Sequence, residues 1–447
     1  MPVAAPTSRI TRLSLALLLA LNLLNYIDRY VLAAVEPEIR HAFFPREVAT
    51  GSPAREQLMA GMAKTGSLAT AFLVSYMLAA PIFGILADRM SRWVLVAIAV
   101  AIWSLASGAS GLARTFSLLV LARCVVGIGE AGYGPAAPTM IADLYPIERR
   151  GTMLAWFYMA IPVGSALGYA LGGIVSQHWG WRAPFFLVVP PGLLLAGCCL
   201  LMPSPPRPAM APVRPRRPIL ADFGGLLTIP SYVLNTLGMA AMTFAIGGFS
   251  FWMPAYLHDA AHAGDLATVN TRFGLITVVA GIAATLSGGW LGDFLRRYLS
   301  GAYFIVSAAG IVVSAFFVVL MMRSTDAQPA SPLLWVWISL AVFFLFLNTG
   351  PSNTILANVT HPSVRANGFA LNILVIHALG DAISPPILGA IAGRSWNAAL
   401  AVVAGMMVVA GAFWFGGVPF LERDTAAVGE TANLLDARSR GVRRPMR

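Results

Sequence analysis

Charge is what this sequence has least of. Only 11% of its 447 residues are Asp, Glu, Lys or Arg, against about 25% in an ordinary soluble domain. Lysine occurs once, at Lys64. A chain this poor in charge cannot clothe the surface of two or three water-soluble domains. Cysteine is also scarce. Cys124, Cys198 and Cys199 lie inside apolar stretches, without the spacing of a disulfide framework or a metal site, so neither a metal nor a cofactor is expected. There is no phosphate-cradling glycine loop with lysine, no nucleophile elbow and no cluster of His, Cys and Glu ligands, which excludes the common routes to catalysis. ATP-driven pumping would need a separate subunit. What the chain does contain is apolar: 58% hydrophobic residues and a mean hydropathy of +0.74. The net charge of +11 does not point to nucleic acid, because the basic residues fill short gaps between apolar runs instead of sharing one face.

The reading is therefore an all-α membrane protein. A helix crosses a hydrocarbon core of about 30 Å with ~20 apolar residues. Runs of that kind fall at 13–35, 65–87, 93–113, 116–142, 152–176 and 184–202, then at 230–257, 271–292, 301–322, 332–357, 366–392 and 396–420. This predicts twelve transmembrane helices in two pseudo-symmetric six-helix bundles, residues 1–202 and 230–420. A Pro/Arg-rich linker over 203–229 joins them, and a basic tail follows over 421–447. The first run resembles a signal peptide, but Asp28-Arg29 interrupts it, so it is read as an uncleaved span. Nineteen of the thirty Lys and Arg residues fall in the segments on the side of the termini and nine on the other side, with Arg29 and Arg123 inside spans. That bias predicts both termini in the cytoplasm, in a cell inner (plasma) membrane. The loop over 36–64 is long enough for a short surface helix.

The segment after the second run reads Gly84-Ile-Leu-Ala-Asp88-Arg89-Met-Ser-Arg92, and Gly289-Trp-Leu-Gly-Asp293-Phe-Leu-Arg296-Arg297 repeats its Gly-to-Asp step after the eighth. The pair resembles the signature loops of the major facilitator superfamily, as expected of two halves related by duplication. An aspartate there can accept from the unsatisfied amides of a neighbouring helix N-terminus. By resemblance, Gly84, Asp88, Arg89, Arg92, Asp293 and Arg149, with Arg150, form a conformational latch that closes the cytoplasmic side. Phe294 stands where the first loop has Arg89, which predicts a weaker second latch.

The informative charges within spans are Asp28, Arg29, Arg123 and Glu130. Each costs at least ~2.5 kcal/mol to insert, so their usual setting is a pair or a wet cavity. Arg123 and Glu130, seven residues apart, share one helix face with ~20° between them and ~10 Å of rise. The four form a nearly neutral quartet, either a structural clamp between the first and fourth helices or a binding site. The string Asn25-Tyr26-x-Asp28-Arg29, with Gly129-Glu130-Ala131-Gly132 and Pro135, resembles the Spinster family of lipid exporters and, less closely, the organic anion symporters of the same superfamily.

The resemblance implies a secondary transporter, with the first, fourth, seventh and tenth helices lining a central cavity. It implies two candidate classes of substrate: an amphipathic anionic lipid (a lysophospholipid or sphingoid phosphate) or a small organic anion. A channel or membrane-embedded sensor fits the duplicated 6 + 6 pattern less well. Asp28 and Glu130 become candidate proton sites, since a carboxylate beside a guanidinium stays ionised and one left in a dry apolar site takes a proton. Arg29 and Arg123 would release a carboxylate when an anionic headgroup arrives. Tyr26, Asn25, His377 and Asn348 complete the candidate substrate and proton site. His377 has Asp381 four residues on, within pairing reach. Phe244, Phe249, Phe343 and Phe346 are candidate contacts for an apolar tail. The fifth span, with Gly164, Gly168, Gly172 and Gly173, presents a face without side-chain bulk. The partners expected are the bilayer, the substrate and protons, with the protein a monomer.

Overall fold

Twelve helical segments are long and apolar enough to cross a membrane among the residues that the computed structural model describes, which are 8–45, 52–145, 147–203, 219–328, 331–361 and 364–428. They coincide one for one with the apolar runs of the sequence. The first half comprises α1 (Ser8–Ala34), a short α2 (Glu36–Phe43), α3 (Ser52–Arg89), α4 (Arg92–Leu112), α5 (Phe116–Ala131), α6 (Ala136–Leu144), α7 (Ile147–Trp179), α8 (Ala183–Leu187) and α9 (Val189–Leu200). After α10 (Ile219–Leu226), the second half comprises α11 (Pro230–Asp259), α12 (Leu266–Leu295), α13 (Ala302–Ala327), α14 (Pro332–Phe346), α15 (Thr349–Val359), α16 (Arg365–Ile376), α17 (Ser384–Ala392) and α18 (Trp396–Gly417). An even number of crossings puts both ends of the chain on one side, here called the terminal face.

Several spans are two helices in line, and the sequence explains where they break. The fourth is α5 and α6, interrupted at Gly132-Tyr-Gly134-Pro135 directly after Glu130. Glycine loses most entropy in a helix, and proline cannot donate to the turn before it. The tenth span breaks at the matching place, where Leu347-Asn348 separates α14 from α15 and Gly350-Pro351 follows. The eleventh is α16 and α17, joined by a wide turn over His377–Asp381 in which Gly380 leaves helical geometry at φ −107° and ψ −108°.

The second span begins well before the apolar run at 65, because α3 is a continuous helix from Ser52. A helix end standing in water needs no apolar residues, so hydropathy misses it. The loop at 36–64 does contain a short helix, but α2 is not a surface element: Glu36, Pro37, Ile39 and Arg40 are buried. Residues 204–218 of the linker and 429–447 of the tail lie outside the described residues. The tail's first turns are helical, with Leu421 buried and Asp424 accepting from the Ser231 amide at 2.9 Å. That carboxylate answers an amide that α11 would otherwise leave unpaired.

Large apolar side chains such as Leu78, Leu105, Leu112, Leu194 and Leu286 point outward and are more than half exposed. Such a surface is stable only against lipid. Inside, the glycine face of α7 meets α1. A Cβ on Gly164 would lie 2.6 Å from Tyr26 Cβ, one on Gly168 2.7 Å from the Ile27 carbonyl, and one on Gly172 2.5 Å from Ala34 Cβ. The stripe thus sets α1, with its charged residues, close against the bundle.

Candidate functional site

Between the two halves lies a cavity of about 230 Å³. The first half contributes Tyr26, Arg29 and Tyr30 from α1, Phe72 from α3 and Arg123 from α5, and the second contributes Ile246, Gly247, Ser250 and Phe251 from α11. His377, Asp381 and Pro385 of the eleventh span complete the wall. The expected ring of first, fourth, seventh and tenth helices is met in three of its four members. The tenth gives no lining residue among those described, and the second and eleventh take its place.

The four intramembrane charges pair crosswise. Arg29 Nε donates to Glu130 Oε2 at 2.7 Å, and Arg123 Nη1 lies 4.0 Å from Asp28 Oδ2. Neighbours in sequence on α1 are therefore answered by residues two turns apart on α5. Asp28, Arg123 and Glu130 are each 1% exposed or less, while the Arg29 side chain is 24% exposed toward the cavity. The Asp28 carboxylate also accepts a hydrogen bond from Ser107 Oγ of α4. Arg29 stands over the rings of Tyr26, Phe72 and Tyr76 at 5.2, 4.9 and 5.7 Å, and Arg123 over Phe72 at 5.4 Å. These ring faces attract a guanidinium that has left bulk water. Glu130 Oε1 and Arg123 Nε are buried without a hydrogen-bond partner among the described residues.

On the facing wall, His377 Nδ1 lies 2.9 and 3.2 Å from the two Asp381 oxygens. An ionised carboxylate only accepts, so that pairing uses the tautomer with its proton on Nδ1. Asn25 and Asn348 do not line the cavity. Asn25 is buried on the face of α1 that carries Asn22, whose amide donates to the Phe157 carbonyl. Asn348 sits in the break of the tenth span and turns its amide back to the Leu345 carbonyl at 2.5 Å, because that break leaves a carbonyl to satisfy. Of the four phenylalanines proposed for a tail, none lines this cavity among the described residues; Phe244 and Phe249 are core residues of α11.

The halves hold together from the middle of the spans to the face opposite the termini. Thr70 Oγ1 donates to the Ala382 carbonyl at 2.5 Å, the Tyr169 hydroxyl to that of Ser250 at 2.6 Å, and Asn270 Nδ2 to that of Ala34 at 3.1 Å. Two of the proposed latch residues of the terminal face are instead satisfied within their own halves. Arg92 is ion-paired with Asp143, and Asp293 accepts from the Tyr303 hydroxyl at 2.7 Å. Gly84 meets no close neighbour, Arg89 and Arg149 are exposed, and the side chains of Asp88 and Arg150 lie outside the described residues. Sequence reading missed Ser107, Phe72, Tyr76 and Asp143. Ser107 was findable in principle, since it belongs to the small-residue face Ser104, Ser107, Gly108, Gly111 of α4.

Residues 18–385 match the family model of the Major Facilitator Superfamily. Protein spinster homolog 1 of Xenopus laevis is 32% identical over 445 residues, covering 91% of this chain and 80% of that protein. The chain belongs to the Spinster family of the major facilitator superfamily. It is a membrane transporter, like its relatives, which are not enzymes. Another Spinster relative, the sphingosine-1-phosphate transporter SPNS2 of Danio rerio, is 34% identical over 392 residues, covering 83% of this chain and 74% of its own. Two solved structures share the fold. A bacterial homologue of the human lysosomal transporter Spinster, in an inward-facing and occupied conformation, aligns with a TM-score of 0.73 at 21% identity over 94% of this chain and 99% of its own. A D-xylose–proton symporter aligns with a TM-score of 0.74 at 16% identity over 92% and 99%.

Proposed function

We propose that this Spinster-type transporter moves an amphipathic anionic lipid, a lysophospholipid or sphingoid phosphate, by proton-coupled alternating access. One observation carries the reading: two arginines, Arg29 and Arg123, reach one inter-half cavity whose remaining wall is largely aromatic and apolar. An anionic headgroup finds guanidinium donors there, and its apolar portion finds Phe72, Phe251 and Tyr30. The name of the SPNS2 relative agrees with such a solute. An anion that takes over Arg29 would free Glu130, which has no water-exposed surface to stay ionised in and would take up a proton. Asp28 is the second candidate proton site, and Tyr26 and His377, the latter paired with Asp381, are candidate headgroup contacts.

Closure opposite the termini, with the Arg92 and Asp293 loops each satisfied within its own half, is the arrangement of a carrier open toward the terminal face. In the alternate state the latch of Gly84, Asp88, Arg89, Arg92, Arg149 and Asp293 would close that face. The excess of Lys and Arg there supports cytoplasmic termini in the plasma membrane, and the protein is taken to work as a monomer.

A second reading, a proton-coupled organic anion symporter, is favoured by the cavity's size. At about 230 Å³ it falls below the ~300–1,000 Å³ of sites that enclose a drug-sized ligand. Under the lipid reading, the tail must leave the cavity between helices. Uptake of a lysophospholipid and of a small sugar acid into proteoliposomes, each with and without an imposed pH gradient, separates the two. Lysophospholipid flux accelerated by the gradient supports the first reading; sugar-acid flux alone would replace it with the second. Glu130→Gln should abolish the gradient's effect, and an unchanged effect removes Glu130 from coupling.

A further inference from the structure

The buried face of α2 holds a charged cluster that transport chemistry does not use. Glu36 is 1% exposed and Arg40, one turn on, is 5% exposed. Arg40 Nε donates to Glu36 Oε1 at 3.1 Å, and Thr65 Oγ1 of α3 donates to the same oxygen at 2.6 Å. The other end of the guanidinium crosses between the halves. Arg40 Nη2 lies 2.5 Å from Oδ2 of Asp259, the last residue of α11. Because α2 follows α1 after a single residue, it travels with the first half, whereas Asp259 travels with the second. The contact lies on the closed face, so opening that face must break it.

We infer that Arg40 is the latch of the face opposite the termini, held in position by Glu36 and Thr65 and closed on Asp259. The inference goes beyond the proposed function and does not depend on which solute is carried. The geometry gives each member a distinct part. Glu36 keeps a long side chain extended toward the seam, sparing the ordering entropy that weakens most surface pairs. Asp259, with a 29% exposed side chain, supplies the bond that is made and broken.

The cluster also makes closure sensitive to pH on that side. Arg40 serves two carboxylates, and Glu36 Oε2 is buried without a partner among the described residues. Burial pushes the Glu36 carboxyl above its ordinary range, opposed by Arg40 and Thr65 and reinforced by Asp259. Opening would hydrate Glu36 and return it toward its ordinary value. A proton thus binds the closed form more tightly, so closure is firm at low pH and loosens as pH rises through the raised value. Among the described residues, the other ionisable groups of this corner include Glu38 and His41 on α2, Glu56 and Lys64 on α3, His258 on α11, and Arg394 after α17, whose Nε lies 3.0 Å from Met59 Sδ of α3. Glu38 is itself raised by burial, with Ser176 and His258 opposing. The Lys64 ammonium stands over the Phe44 ring at 5.0 Å.

The test places a reporter thiol in the cavity, Ala69→Cys, in the full chain with Cys124, Cys198 and Cys199 changed to Ser. The protein is reconstituted in sealed vesicles, and a membrane-impermeant maleimide is added on the side opposite the termini. Asp259→Asn leaves the Glu36–Arg40 pair intact and should raise the labelling rate roughly five- to tenfold. Asp259→Glu, which keeps a carboxylate for Arg40, should label near the parent rate. Because a thiol reacts as its thiolate, every rate is divided by that of glutathione with the same maleimide at the same pH; so normalised, parent labelling should quicken from pH 5 to pH 8, and Glu36→Gln should remove that dependence. Labelling of Asp259→Asn at the parent rate overturns the latch. A parent rate flat across pH, or a dependence that survives in Glu36→Gln, overturns the part given to Glu36.

Discussion

Replacing Asp28 by Asn isolates the more deeply buried of the two crossed ion pairs. Arg123 is 1% exposed and its Nε has no acceptor among the described residues. Without Asp28 its charge loses its nearest carboxylate and keeps the Phe72 face at 5.4 Å and the more distant Glu130. Removing one partner of a buried pair costs about 3–5 kcal/mol, because the other charge remains uncompensated. In Glu130→Gln, by contrast, Arg29 keeps its opening to the cavity and three ring faces, so the loss should be about 1–2 kcal/mol. For a cooperative unit of ~200 residues, each kcal/mol is worth ~2–4 °C of Tm. A thermal melt of detergent-solubilised protein should therefore fall by ~6–20 °C for Asp28→Asn and by ~2–8 °C for Glu130→Gln. The double variant Asp28→Asn/Arg123→Gln removes both charges and should recover to within about 1 kcal/mol of the parent, since replacing a whole buried pair is often near neutral. Additive losses in the double variant would refute the reasoning, as would an Asp28→Asn protein as stable as the parent.

Gly168→Ala should destabilise by about 1–3 kcal/mol and slow transport, because its Cβ would fall 2.7 Å from the Ile27 carbonyl. Gly197→Ala, with nothing within 4 Å, should leave the melt unchanged or raise it by about 0.5–1 kcal/mol. Ser107→Ala removes a donor to a buried carboxylate and should cost about 1.5–3 kcal/mol in the same melt. Asp143→Asn breaks the pair with Arg92, but both side chains are about one-third exposed, so stability should change by less than about 1 kcal/mol.

The architecture was legible because a span is a long signal: some twenty apolar residues repeated twelve times leave little choice of fold. The four intramembrane charges were legible for the opposite reason, as exceptions that lipid does not tolerate. Their partners were not. Asp28 and Arg29 are adjacent, so ~100° of helix separates them and they point to different neighbours. Which residue of α5 each one reaches depends on the approach of α1 to the bundle, which the α7 glycines set. The second-half wall was read less well. His377 was visible as a lone histidine in an apolar run, whereas the unwinding at Gly380 that accompanies its pairing with Asp381 is a property of packing against α11. Asn348 looked equivalent on composition, but its amide nitrogen turns back to the Leu345 carbonyl of its own span. The burial of α2 was invisible, since its Glu and Arg residues read as a solvated loop until α11 supplied Asp259.

The account rests on the inter-half cavity being the path of the solute, and a single thiol tests that directly. Ser250 lines the second-half wall opposite the arginines, and its backbone carbonyl, which a substitution keeps, accepts from Tyr169, so Ser250→Cys should transport normally. Modification of that cysteine by a bulky methanethiosulfonate should lower the initial rate at least tenfold, and the transported solute should slow the modification. Fully modified protein that transports at the unmodified rate would contradict the account.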